Sequence, residues 1–345
     1  MTDLDERITR VLREHADTPV DVARLTSGAV ARGRQRRRRL TAVGVAALAL
    51  VALLGPGVLP AGLPALRWPG AGPAAPTVAP PPVVGSSGAS ARPDLVGTDP
   101  TVLHFGVDSS RARYLGWRSG LGVESARLTL DGGRQAVFDL GRTPADVEES
   151  FHDGMIYDAA PVTGADFDGE VVRLPPAGPG GDPGWVRRWQ PVPGLYARVL
   201  TVGPDDRALR QTVDAVRLDA VVRCATPLRL TALPAGATVA GCLVNAIGFP
   251  DALDTSVVVT RPGGGRLEIR LEHLRDFPGH RSRGNRTVDG RPALAGGGEL
   301  RLLDVPGGHL TARFGAGYQG FTEDDAATVL AGVRLAPDLA EPSSW

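Results

Sequence analysis

The sequence predicts an α+β ectodomain of two tandem similar units, each a twisted antiparallel sheet with a packed helix, behind one transmembrane helix and a disordered linker. Three observations predict it: a twenty-residue uncharged run behind an arginine cluster, a proline-rich stretch after that run, and four landmarks that recur in the same order through the rest of the chain. The expected boundaries are 1–39 for a cytoplasmic segment, 40–59 for the span, 60–100 for the linker, and 101–220 and 221–340 for the two units.

Leu40 to Leu59 carries no charged residue, matching the ~20 residues an α-helix needs to cross a ~30 Å hydrocarbon core. Arg32, Arg34, Arg36, Arg37, Arg38 and Arg39 precede it without an acidic partner between Thr26 and Leu40, which places the N-terminus in the cytoplasm and the remainder outside. The alternatives are a buried helix of a soluble core and the core of a cleaved secretory signal. The 39 residues before the run, and the lack of a small-x-small site at the usual distance after Leu54, favour a retained anchor. Upstream, Leu4, Ile8, Val11 and Leu12 share one helical face, and Thr18, Pro19 and Asp21 start a second helix. That segment either docks a cytoplasmic protein or lies on lipid headgroups.

Charge is divided unevenly. Residues 1–39 hold ten Arg against six acids, whereas residues 60–345 hold 28 Arg against 32 acids. An acidic ectodomain argues against nucleic acid as a partner, and the basic block suits anionic lipid. All 38 basic residues are Arg, so Schiff-base lysines, phosphate-loop lysines and Ser/Lys dyads are excluded. Nine prolines between Pro60 and Pro93 predict a semi-rigid spacer of up to ~3.1 Å per residue. Cys224 and Cys242, both outside on this topology, are either two free thiols or one disulfide. The oxidising compartment favours the bridge, and closing a loop of that size contributes about 3 kcal/mol.

The recurring landmarks begin with a hairpin, Ser125 to Phe138 around Asp131-Gly132-Gly133, matched by Ser256 to Ile269 around Pro262-Gly263-Gly264-Gly265. Next come Val162 to Gly164 and Val288 to Gly290, then Arg188 to Gly194 and Arg301 to Gly307. Last are acidic helix starts, Asp205-Asp206 and Asp324-Asp325, running into Val216-Arg217-Leu218 and Val333-Arg334-Leu335. Repetition of this kind reads as two copies of one unit. The helices should bury Leu209, Val213 and Val216 in the first copy and Val329, Leu330 and Val333 in the second, their acids serving the helix N-terminus. Thr143, Pro144 and Asp146 start another helix, with Val147 and Phe151 on its buried side.

Chemistry-bearing motifs are sparse. His15 is cytoplasmic, and His104, His152, His273, His280 and His309 are scattered without zinc-helix spacing. The nearest metal grouping is His273, Asp276 and His280, interrupted by Pro278-Gly279; no metal and no cofactor are expected. Gly85-Ser86-Ser87-Gly88 lacks the spacing of a nucleophile elbow. The candidate ligand-contact residues are Trp185, Arg187 and Trp189, aromatic and cationic groups beside a Gly/Pro-rich loop.

A charged N-terminus, an Arg-rich boundary at Arg36 to Arg39, one span and a Pro-rich stalk before a small ectodomain form a layout that resembles single-span actinobacterial envelope proteins, including membrane-anchored regulators encoded near sigma factors. The repeated unit, with Arg-x-x-x-Val-Pro-Gly before an acid-started helix, looks like lipoprotein-carrier-type sheets with a packed helix. These resemblances imply an envelope location and carry no site residues. The expected function is a non-enzymatic single-pass membrane protein with a tandem extracytoplasmic binding or structural domain and an extracytoplasmic protein or ligand as partner. The alternatives are a regulator holding a cytoplasmic protein through residues 1–35, and an extracytoplasmic hydrolase using His152 and His273.

Overall fold

The computed structural model describes residues 78–148, 167–176, 181–279, 283–315 and 317–345, all within the unit Ala71–Trp345. Its centre is one antiparallel sheet of thirteen strands. In chain order these are β1 (Ala112–Gly120), β2 (Val123–Leu130), β3 (Gln135–Gly141), β4 (Asp168–Leu174), β5 (Gly184–Trp189), β6 (Tyr196–Val202), β7 (Thr238–Asn245), β8 (Ala252–Arg261), β9 (Gly265–Leu274), β10 (Arg286–Val288), β11 (Arg291–Gly296), β12 (Glu299–Leu302) and β13 (Gly308–Arg313). Among the described residues three α-helices accompany them: α1 (Pro144–Glu148), α2 (Arg207–Ala215) and α3 (Glu323–Ala331).

Period-two sequence patterns explain the strands. In β9, Leu267, Ile269 and Leu271 are fully buried while Arg266, Glu268, Arg270 and Glu272 stand on the other face, as alternation along a half-covered strand requires. Each such aliphatic side chain contributes about 1.5–3 kcal/mol on burial. Ala126, Leu128, Phe138, Leu140 and Val199 make the corresponding layer over β2, β3 and β6, with Ala208 and Leu209 of α2 packed against it. Ala326, Val329 and Leu330 of α3 cover the layer over β8, β9 and β13. Through the register, Ile269, Val257, Cys242, Ser119, Glu124 and Leu140 are successive partners, so both layers lie on one side of the sheet.

The sheet order is β10-β11-β12-β13-β9-β8-β7-β1-β2-β3-β6-β5-β4. From the middle outward, β1-β2-β3-β6-β5-β4 and β7-β8-β9-β13-β12-β11 are the same path, and each run leads into one of the helices. After each helix the chain pairs back onto the start of its own half, Val216–Arg217 with Gly106–Val107 and Val333–Leu335 with Leu228–Leu230. The two expected sheets are therefore one, because β1 and β7 pair edge to edge from Gly116 to Gly120 and from Gly241 to Asn245. Pairing removes two edges that would otherwise present unpaired backbone groups. Gly120, at φ +104, has no room for a Cβ against the Ala240 carbonyl, so glycine is required at this join.

Two further differences concern the ends of the elements. The stretch expected as linker already belongs to the folded unit from Val78: Val78, Ala89 and Val96 are buried, and the Val83 N–H donates to the Val221 carbonyl at 2.9 Å. Apolar side chains at intervals, with backbone pairing between them, tie down a segment whose composition alone reads as spacer. The α3 N-cap is Thr322, and Asp325 of the expected acidic start serves it: the Thr322 hydroxyl accepts from the Asp325 N–H while the Asp325 carboxylate accepts from the Thr322 N–H, a capping box. No helix among the described residues is long and apolar enough to cross a membrane, and the expected span, 40–59, lies outside them.

Cys224 and Cys242 form a disulfide across 6.3 Å between Cα atoms, tying the segment between the two halves to β7. Replacing both by Ser should lower unfolding stability by about 3 kcal/mol, read from urea denaturation followed by tryptophan fluorescence; an unchanged midpoint would contradict a structural role.

Candidate functional site

The face opposite α2 and α3 carries a row that is polar except at Leu243. Successive register partners from β5 to β12 are Arg188, Arg198, Asp139, Ser125, Arg118, Leu243, Ser256, Arg270, Thr311 and Arg301. Partners directly opposite in a sheet share a face, so these ten side chains line one surface across the join. Ser256 follows Ser125, and Arg270 follows Asp139, at the same sequence interval. Arg118 and Leu243 are each other's partners and occupy matching places in the two runs.

The first half of this row is closed. Asp139 is fully buried, accepting from the Ser125 hydroxyl at 2.7 Å and from Arg198 Nε and Nη2 at 3.0 and 2.7 Å. Beside it, Arg188 Nε donates to Glu148 of α1 at 2.6 Å, and α1 is fixed by reciprocal hydrogen bonds between Thr143 and Asp146.

The second half is open. A cavity of about 340 Å³ straddles β1, β7, β8, β9 and β13, lined by four arginines, Arg118, Arg266, Arg270 and Arg313, but only two carboxylates, Asp254 and Glu268. Both carboxylates are engaged. Arg270 donates to the two Asp254 oxygens at 2.8 and 2.5 Å, and this hydrogen bonding raises its pKa above its already high ordinary value. Glu268 accepts from the Tyr318 hydroxyl at 2.9 Å and lies 3.5 Å from Arg313; burial, then the Glu268 charge, pushes the Tyr318 phenol up. Burial pushes the Arg118 guanidinium down from its ordinary value, Asp139 opposing this and Arg266 adding to it. The Arg266 guanidinium sits 5.3 Å from the Tyr318 ring centroid, and its buried Nε has no hydrogen-bond partner among the described residues. Such an orphaned donor costs on the order of 1–3 kcal/mol.

The residues singled out from sequence lie elsewhere. Trp185, Arg187 and Trp189 alternate along β5 on the same side as α2, and both indoles pack half-buried against the core. Trp185 Nε1 donates to the Gly203 carbonyl at 3.0 Å, Arg187 Nε to the Gly169 carbonyl at 3.0 Å, and the Arg187 guanidinium lies 5.2 Å from the Trp189 ring centroid. The structure thus brings the three together, with these donors directed at the protein's own backbone. His104 is buried with Nδ1 2.7 Å from Glu124 Oε1, where Glu124 also accepts from the Gly97 N–H at 2.9 Å; the pair pins the incoming chain beneath β2. No group of metal-ligating side chains occurs among the described residues. His15, His152, His280 and Arg36 to Arg39 fall outside them. The groove arginines were missed, although Arg266-x-Glu268-x-Arg270-x-Glu272 announces a charged strand face by its spacing alone.

Substituting Asp139 with Ala leaves Arg198 buried without this carboxylate, and should destabilise the unit by about 3–5 kcal/mol in denaturant unfolding. Adding Arg198→Met should recover most of that loss; equal instability of the single and double variants would show that the pair is not what matters there.

No family model matches the sequence. No curated protein matches it at a significant level. Among solved structures it is similar to the crystal structure of MucB in complex with MucA(peri), at 12% identity and a TM-score of 0.21, covering 66% of this chain and 94% of that one. Likeness at that score carries no argument about the fold or the partner of this chain.

Proposed function

We propose that this chain is a non-enzymatic, single-span envelope protein, its N-terminus in the cytoplasm, whose domain from Val78 onward lies outside the membrane and binds a partner over the groove at the join. The groove carries this reading, because a cavity lined by charged side chains on the sheet face opposite α2 and α3 suits a ligand of complementary charge. The Cys224–Cys242 bridge supports an oxidising location, and the arginine cluster before the uncharged run supports the orientation. We read the two halves of the sheet as copies of one unit, on the strength of their equal strand order and the matched interval between Ser125 and Ser256. On this reading the domain is a tandem unit in which one copy became closed and the other kept a surface for recognition.

Two arms of one experiment in intact cells test the proposal on the full chain. Asp214→Cys, exposed on α2, should react with a membrane-impermeant maleimide, whereas reaction only after permeabilisation would place the domain inside. A photoreactive benzoylphenylalanine at Leu243 should give a discrete cross-linked species that the same group at Asp214 does not; indistinguishable products from both positions would remove the groove as the binding surface.

A further inference from the structure

Within the reading of the groove as a binding surface, we infer that the join carries an aliphatic notch, walled by Leu121, Leu243 and Val258 and floored by Gly241, that receives an aliphatic side chain from a polypeptide segment. Leu121 carries the inference. With Gly122 it makes the two-residue turn between β1 and β2, closed by the pairing of Gly120 with Val123. Their φ angles, +57 and +88, have the sign a type I′ turn requires at both central positions, which Asn-Gly and Asp-Gly satisfy most easily. The turn between β10 and β11 has that chemistry, with Asp289 and Gly290 at +49 and +76 between paired Val288 and Arg291. Among the described residues only Leu121 and Asp289 hold a positive φ without being glycine. A leucine in that region sets its Cβ against the backbone, and such strain marks a position where local preference has yielded to another demand.

Core packing is not that demand. Leu121 is 41% exposed, and neither it nor Leu243 nor Val258 belongs to the apolar layers under α2 and α3. All three border the cavity instead. Gly241 of β7 is the register partner of Val258 on one side and of Gly120 on the other, and register partners share a face. Two positions without side chains therefore lie next to each other between Val258 and the Leu121 turn, which leaves a hollow. A Cβ on Gly241 would come within 3.4 Å of Val258, so glycine there keeps the hollow open. Around it Arg270 is paired with Asp254 and Glu272, and Arg313 with Glu268 and Glu299. A rim of paired charges of both signs supplies acceptors for backbone N–H groups and donors for carbonyls. Three aliphatic side chains match one side chain of a polypeptide and are too small a surface for a long alkyl chain.

The full chain in phospholipid nanodiscs, isotopically labelled at its leucine and valine methyl groups, is titrated by nuclear magnetic resonance with the peptide acetyl-Ser-Ser-Leu-Ser-Ser-amide. Saturable shifts at the methyls of Leu121, Leu243 and Val258 are expected, with affinity about tenfold above that of the all-serine peptide. Leu121→Asn should lower the affinity on the order of tenfold yet melt about 2 °C above the parent chain, because asparagine suits the turn. Gly241→Ala fills the hollow and should lower the affinity by a similar factor. Equal affinity for the two peptides, shifts confined to other methyls, or unchanged affinity in both variants overturns the inference. Saturation of the same methyls by added dihexanoyl phosphatidylcholine, without preference for the leucine peptide, assigns the notch to lipid and overturns the polypeptide. Cross-linking from Leu243 in cells judges the groove separately, so a groove that cross-links but shows no preference for leucine refutes the notch and leaves the binding surface standing.

Discussion

The pairing of β1 with β7 is the interaction on which the rest of this molecule depends. Each half of the sheet starts at that pair and runs outward through the same order of strands. Without it each half would expose a long strand edge, a template for association with other chains. With it, the apolar layers under α2 and α3 fall on one side and the ten-residue polar row falls on the other. Gly116 faces Asn245 and Gly120 faces Gly241 across the join, and the close approach at Gly120 leaves no space for a side chain.

The shared strand order of the two halves lets their positions be matched, and the matched positions differ in charge. Ser125 and Ser256 match, but Asp139 is matched by Arg270 and Arg198 by Thr311. One half therefore neutralises its charges internally, and burying that triad is tolerable because every charge has a hydrogen-bonded partner. The other half borders the cavity at the join, and there Arg270 pairs with Asp254 and Glu272, and Arg313 with Glu268 and Glu299. On the function proposed above, donors already fixed by the sheet would lower the ordering cost of binding.

Much of the fold was legible because it rests on short-range pattern. The hairpin turns at Asp131-Gly132-Gly133 and Pro262-Gly263-Gly264, the acid-started α3 and the buried Val147 of α1 are local, and the structure has them in place. The disulfide followed from cysteine count and compartment, and the geometry agrees. What the sequence could not display was the join, since nothing local marks β1 as the neighbour of β7 rather than of solvent. The linker boundary was misplaced for the opposite reason: proline content dominated the reading, while Val78, Ala89 and Val96 anchor the segment one residue at a time. Aromatic side chains drew attention to Trp185 and Trp189, whose period-two spacing places them on the helix side with the core. The groove arginines, spread over β1, β9 and β13, meet only once the sheet is assembled.

Native-state hydrogen exchange on the full chain tests the join most directly. The account predicts that backbone amides bonded between residues 116–120 and 241–245 exchange as slowly as those in the middle of β2 and β8, and open only when both halves unfold. Fast exchange at the join while the two halves stay protected would mean two independent sheets lying side by side, and would contradict it.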